Sequence, residues 1–197
     1  MGKRQVAAMQ TRLKVIAAAE KLIAERGFES VTVDDIAAEA GVAKGTFYTY
    51  FKRKEDVVWE IAGPNFASLQ ERAKASDGDV VEKLDAYLTE SMKLIVETGL
   101  KIAQQWIKTV VDPSDPDGKG KLIYDLGVIR EFLELAVESG ELTDDTPVDQ
   151  LHQWIAAEYY GIVLNWCILD GAIDPTELLS DYCKVQLSHS LACYKKS

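Results

Sequence analysis

Apolar residues recur every three or four positions along nearly the whole chain, and no segment alternates apolar with polar residues between turn signals. A chain patterned in this way buries its apolar stripes by packing helix on helix, so an all-α fold of about nine helices is expected. Leu13, Ile16, Ala19 and Ile23 fall on one face of a first helix, which Gly27 ends with Phe28 behind it as a plug. Thr32 followed three residues later by Asp35 starts a second helix that buries Ile36, Ala37 and Ala40 and breaks at Gly41. A third, short helix runs from about Lys44 to Phe51 with Phe47 and Phe51 facing inward, and a fourth begins near Lys54.

Beyond residue 60 the helices lengthen. Two of them end near Gly99 and Gly140, and another stops before DPSDPDGKG, the clearest loop signal in the chain. The stretches TPVD and DPTE each give a capping residue, then proline, then an acid two places on; they start the last two helices at Thr146 and Asp174.

The chain has 197 residues, enough for one sizeable domain or a small domain fused to a larger one. No apolar run spans a bilayer, the start lacks the apolar stretch of a secretory signal, and Val6 stands where a myristoylation motif needs Ser or Thr. A cytoplasmic protein with no membrane partner is expected. Cys167, Cys183 and Cys193 are widely spaced and read as buried reduced thiols; with His152 and His189 far apart, neither a metal centre nor a cofactor is expected. No Gly-rich phosphate loop, GxSxG or HExxH occurs, which argues against an enzyme.

The net charge of −10 is unevenly placed. Residues 1–60 carry 10 Lys and Arg against 9 Asp and Glu, whereas residues 61–197 carry 12 against 23. The first part can therefore face a polyanion that the second part repels, which would orient the molecule.

Two short helices joined by a turn holding Gly41 match a helix-turn-helix, whose second helix enters the major groove. With Phe47 and Phe51 buried, Lys44, Thr46, Tyr48, Thr49 and Tyr50 remain on the outer arc or its edge. Tyr and Thr are poor helix formers for a solvated face, but they suit hydrogen bonds to phosphates and contact with thymine methyls. Lys52, Arg53 and Lys54 then stand at the start of the next helix. Positive charge is disfavoured there by about 0.3–1 kcal/mol each, unless a phosphate lies between it and the free N–H groups.

The segment TVDDIAAEAGVAKGTFYTYFKRKEDV, with AAEKLIAERGFESVTV leading in, resembles the DNA-binding motif of the TetR (tetracycline-repressor-like) family of bacterial transcriptional regulators. The resemblance is specific over residues 10–60 and looser to the C-terminus. It implies a helix-turn-helix DNA-binding domain over 1–52 and a helical effector-binding and dimerisation domain over 53–197. It further implies that Thr32, Lys44, Gly45, Thr46, Tyr48, Tyr50 and Lys54 lie at a duplex operator. Ala43 stands where the family often has a Ser or Thr cap, Tyr50 where it commonly has His, and Arg53 where Ser is common.

The resemblance places an effector pocket among the middle helices, here carrying Phe66, Tyr87, Trp106 and Tyr124. As a set these aromatics favour an apolar or aromatic small molecule, and the lack of a strong cationic pair disfavours a phosphorylated one. The last two helices are expected to form a homodimer. Ala156, Ala157 and Gly161 permit close approach, and Leu178, Leu179, Val185, Leu187 and Leu191 supply apolar area. The Gly63-Pro64 pair is either a hinge or a helix break. The expected function is a ligand-responsive dimeric regulator, most simply a repressor released by its effector; the alternative is a protein-binding coactivator of the same fold that does not itself read DNA.

Overall fold

The computed structural model describes residues 2–111 and 119–196. It is all-helical, and among the described residues no strand forms beyond one isolated bridge pairing Leu142 with Lys195. The helices are α1 (Lys3–Arg26), α2 (Val33–Glu39), α3 (Lys44–Tyr50), α4 (Lys54–Ala75), α5 (Val80–Thr98), α6 (Leu100–Val110), α7 (Gly120–Glu138), α8 (Val148–Ile168), α9 (Pro175–Tyr182) and α10 (Ser188–Ala192). A short 3-10 turn spans Phe28–Ser30, and a π-helical turn, Cys183–Leu187, joins α9 to α10. The loop expected at DPSDPDGKG lies almost wholly outside the described residues.

The chain divides into two compact units, residues 1–65 and 66–197. The expected boundary at 52/53 falls in the short connection ahead of α4, whereas these units part inside α4. Pro64 does not end that helix, which continues to Ala75. Gly63 and Pro64 lie at the junction of the units, and both are exposed.

In the first unit, α1 supplies Val15, Ala18, Ala19 and Leu22 to a core completed by Val31, Ile36, Phe47, Phe51 and Val57. The expected face of α1 is corrected here. Leu13 is exposed and Ile16 and Ile23 lie at the rim, because the buried stripe runs through the small Ala18 and Ala19, which let α2 and α3 approach closely. α2 begins as expected: the Thr32 hydroxyl accepts from the Asp35 N–H, and the Asp35 carboxylate accepts from the Thr32 N–H. It ends at Gly41, whose φ of +67° lies in the left-handed region that a side chain disfavours. α3 starts at an Ala43 that offers no side-chain cap. Its anchor is Phe47, fully buried, with Phe51 tilted against it at 5.4 Å. Burying such a ring stabilises by about 1.5–3 kcal/mol.

In the second unit α7 packs along α8, α5 against α7 and α9, and α6 against α8. Asp79 caps α5 and Asp174 caps α9, with Pro175 at its first position. α8 starts later than TPVD suggests: the Thr146 hydroxyl donates to the Thr143 carbonyl instead of capping, and the helix begins at Val148. Cys167 and Cys183 are buried as expected but Cys193 is exposed; burial pushes the Cys183 thiol up to about 12.

Candidate nucleic-acid interface and effector core

α3 presents Lys44, Gly45, Tyr48 and Thr49 to solvent along one arc, opposite the buried Phe47. The Tyr48 ring stands edge-on to Phe47 at 5.5 Å, which fixes its root while the phenol stays free. The Thr49 hydroxyl donates back to the Gly45 carbonyl, leaving its methyl outward. Thr46 and Tyr50 are half-buried at the flanks, Tyr50 resting on the edge of the core.

Two further expected contacts have prior commitments. Thr32 is exposed, but its N–H and hydroxyl both donate to the Asp35 carboxylate, at 2.9 and 2.5 Å. That hydroxyl holds the Asp35 carboxyl below its ordinary range. Lys54 is held more firmly still. Its half-buried ammonium donates to the Phe28 carbonyl at 2.8 Å and the Val31 carbonyl at 2.7 Å, and lies 3.9 Å from the centre of the Phe28 ring. It staples the turn between α1 and α2, a structural role that the sequence did not suggest. Lys44 remains on the exposed arc, where its ammonium lies 2.8 Å from Asp34, which raises its pKa.

The second unit gathers three of the four expected ligand aromatics around a buried charge pair. Asp125, on α7, accepts from the Tyr87 hydroxyl at 3.0 Å, the Tyr160 hydroxyl at 2.6 Å and the Lys121 ammonium at 2.5 Å. Lys121 is nine-tenths buried, with its ammonium 4.2 Å from the centre of the Phe66 ring and 5.7 Å from that of Tyr159. Tyr159 shares a hydrogen bond with Ser91 at 3.0 Å. Burial first, and then the Asp125 charge, holds the Tyr87, Tyr159 and Tyr160 hydroxyls in the neutral form, far above the ordinary tyrosine range. Trp106 packs on Tyr160 with ring centres 5.6 Å apart. Tyr124 does not join them: it sits at the surface and its hydroxyl donates to Gln70.

Beside this centre runs a groove of about 370 Å³ between α6, α7 and α8. Ile107, Val110, Leu122, Leu126 and Leu164 supply most of its apolar wall, and Gln153 and Tyr160 its polar atoms. Tyr160 belongs to both features, its ring lining the groove and its hydroxyl on Asp125. Sequence reasoning missed Lys121 and Asp125 because an i, i+4 charge pair ordinarily marks a solvated face.

A helix-turn-helix with a polar, cationic outer arc, joined to a larger helical unit with an apolar groove, defines a DNA-binding regulator. Residues 15–61 match the model of the bacterial regulatory proteins of the tetR family. The chain is similar to the fatty acid metabolism regulator protein of Bacillus subtilis, at 27% identity over 186 residues, covering 89% of this chain and 93% of that one. Among solved structures it is similar to FadR of Bacillus halodurans, a fatty acid degradation regulator, at 27% identity and a TM-score of 0.59, covering 88% of this chain and 96% of that one. The fold also matches the TetR-family repressor FadR of Thermus thermophilus, solved in complex with lauroyl-CoA, at 23% identity and a TM-score of 0.70, covering 94% and 97%. Residues 15–61 thus carry a tetR-family DNA-binding segment, and over most of its length the chain is similar to transcriptional regulators.

Proposed function

We infer that the protein is a ligand-responsive transcriptional repressor: a dimer that holds a palindromic duplex operator through α3 and leaves it when an acyl thioester occupies the larger unit. The observation that carries the reading is the α3 arc. Two phenylalanines anchor the helix from behind and leave Lys44, Gly45, Tyr48 and Thr49 outward. Lys44 suits a phosphate, and Tyr48 and Thr49 suit base edges and thymine methyls, with Thr46 and Tyr50 at the margins. One short helix reads only a half-site, so two copies must lie about 34–36 Å apart, or a multiple of that.

Exposed apolar side chains support a dimer through the last helices. Trp154 and Ile168 are each 65% exposed and Val185 67%, with Leu178 also outward. Leu179, Leu187 and Leu191, by contrast, are buried within the chain, so they belong to its own core and not to an interface. Large apolar side chains left at a surface favour association.

The effector class rests on the groove and on the relatives. The Bacillus subtilis relative is named for fatty acid metabolism and the Thermus thermophilus structure holds lauroyl-CoA. Aliphatic walls suit an acyl chain better than an aromatic ring system. The phosphates of a thioester carrier can stay in water, so the lack of a cationic pair in the middle helices does not weigh against it. Phe66, Tyr87 and Trp106 then support the groove from behind Tyr160, and Tyr124 has no part.

The test is a footprint over the DNA upstream of the protein's own coding sequence, repeated with acyl-CoA esters of rising chain length and with CoA alone. Protection of a palindrome, lost with the esters and kept with CoA, is expected. No preference for any palindrome over random duplex overturns the operator reading; protection that no ester relieves overturns the effector.

A further inference from the structure

The acid that holds Lys44 sits in the first turn of α2 but is not part of its cap. The cap of α2 is complete without it: Thr32 and Asp35 exchange their hydrogen bonds with each other. Asp34 stands outside that exchange, its side chain 67% exposed, and directs its carboxylate to the Lys44 ammonium. Lys44 in turn stands on the outward arc of α3 with Tyr48 and Thr49. A carboxylate therefore lies on the face that meets DNA.

We propose that Asp34 is a positioning residue that limits DNA affinity: it holds Lys44 on a carboxylate that must be exchanged for a phosphate when the duplex binds. This rests on the reading of α3 as the DNA-binding helix. If Lys44 keeps both anions, the carboxylate and the phosphate oxygen sit about 6 Å apart across the shared ammonium. Repulsion at that separation is worth about threefold in affinity with the dielectric of water, and more beside the protein surface. If instead Lys44 leaves Asp34, the complex gains a phosphate contact but strands an acid beside the backbone. Either way the acid weakens binding to duplex of any sequence, because phosphates carry no sequence information. It keeps the reading head from adhering to bulk DNA, where charge is the main attraction.

The test uses the full chain and a random-sequence duplex, with binding followed by anisotropy across a salt series. Asp34→Asn is expected to bind roughly 3- to 10-fold tighter at low salt and to steepen the logarithmic salt slope by about one unit, since one more cation is free to displace counterions. Asp34→Ser, which suits the first turn of a helix, is expected to do the same, so a folding defect peculiar to one variant does not decide the matter. In an Asp34→Asn, Lys44→Ala double variant the slope gain is expected to vanish. Unchanged or weaker binding by both folded Asp34 variants overturns the proposal, as does a slope gain that survives loss of Lys44. A wild-type chain that binds no duplex at low salt removes the DNA-binding reading along with it; wild-type binding with unaltered variants removes this inference alone.

Discussion

The two units treat polar groups in opposite ways. In residues 1–65 the core cluster is apolar, built on Val15, Leu22, Ile36, Phe47 and Phe51, and the hydrogen bonds of Thr32, Asp35 and Lys54 that shape the reading head lie at its surface or rim. In residues 66–197 the middle of the bundle holds a carboxylate, an ammonium and three phenols. An apolar core with surface caps gives one rigid shape, as a helix presented to a groove in DNA requires. A satisfied polar centre is stable only while every partner is in place, so a molecule that disturbs one member disturbs all. The first design suits reading; the second suits responding.

The largest expected effect breaks the second unit at its charge pair. Asp125→Ala strands Lys121 among aromatic rings and is expected to lower unfolding free energy by about 3–5 kcal/mol in urea titrations, whereas Asp125→Leu combined with Lys121→Met should recover most of it. If the single and double variants lose stability equally, the pair is not the source. Next comes Lys54. Lys54→Met removes two charge-assisted hydrogen bonds to carbonyls and is expected to cost about 1.5–3 kcal/mol, with the salt slope of DNA binding unmoved. A shallower slope would return Lys54 to the phosphate role expected from sequence. Thr32→Ala opens the α2 cap and is expected to cost about 0.5–2 kcal/mol of thermal stability; a loss of DNA affinity with unchanged melting would show that Thr32 touches the operator directly. Smallest in stability is Lys44→Ala, expected to leave unfolding within about 0.5 kcal/mol while weakening binding to every duplex. Measured together, the Lys44 and Lys54 variants tell whether one cation meets DNA while the other builds the head.

What the sequence made legible was local chemistry. The Thr32 and Asp35 box, the turn at Gly41, the inward Phe47 and the Asp174 cap all depend on residues within a few positions of one another, and all formed where expected. Long-range choices were hidden. The stripe of α1 is crowded with apolar residues, and only packing against α2 and α3 selects Ala18 and Ala19 over Leu13. The Lys54 staple was hidden because its acceptors, Phe28 and Val31, lie far back in the chain. Leu178 and Leu179 are neighbours in sequence, yet one is exposed and the other belongs to the core.

The π-helical turn at Cys183–Leu187 carries a further consequence. A widened turn of this kind holds one residue more than an α-helical ladder needs. It lets Cys183, Leu187 and Leu191 all point into the bundle and sets Val185 outward. Deleting one residue there would give a more regular helix and a worse protein. Everything downstream would turn by about 100°, and the tail would lose its grip on the 141–143 backbone, where the Thr143 N–H now donates to the Tyr194 carbonyl and the Lys196 N–H to the Glu141 carbonyl.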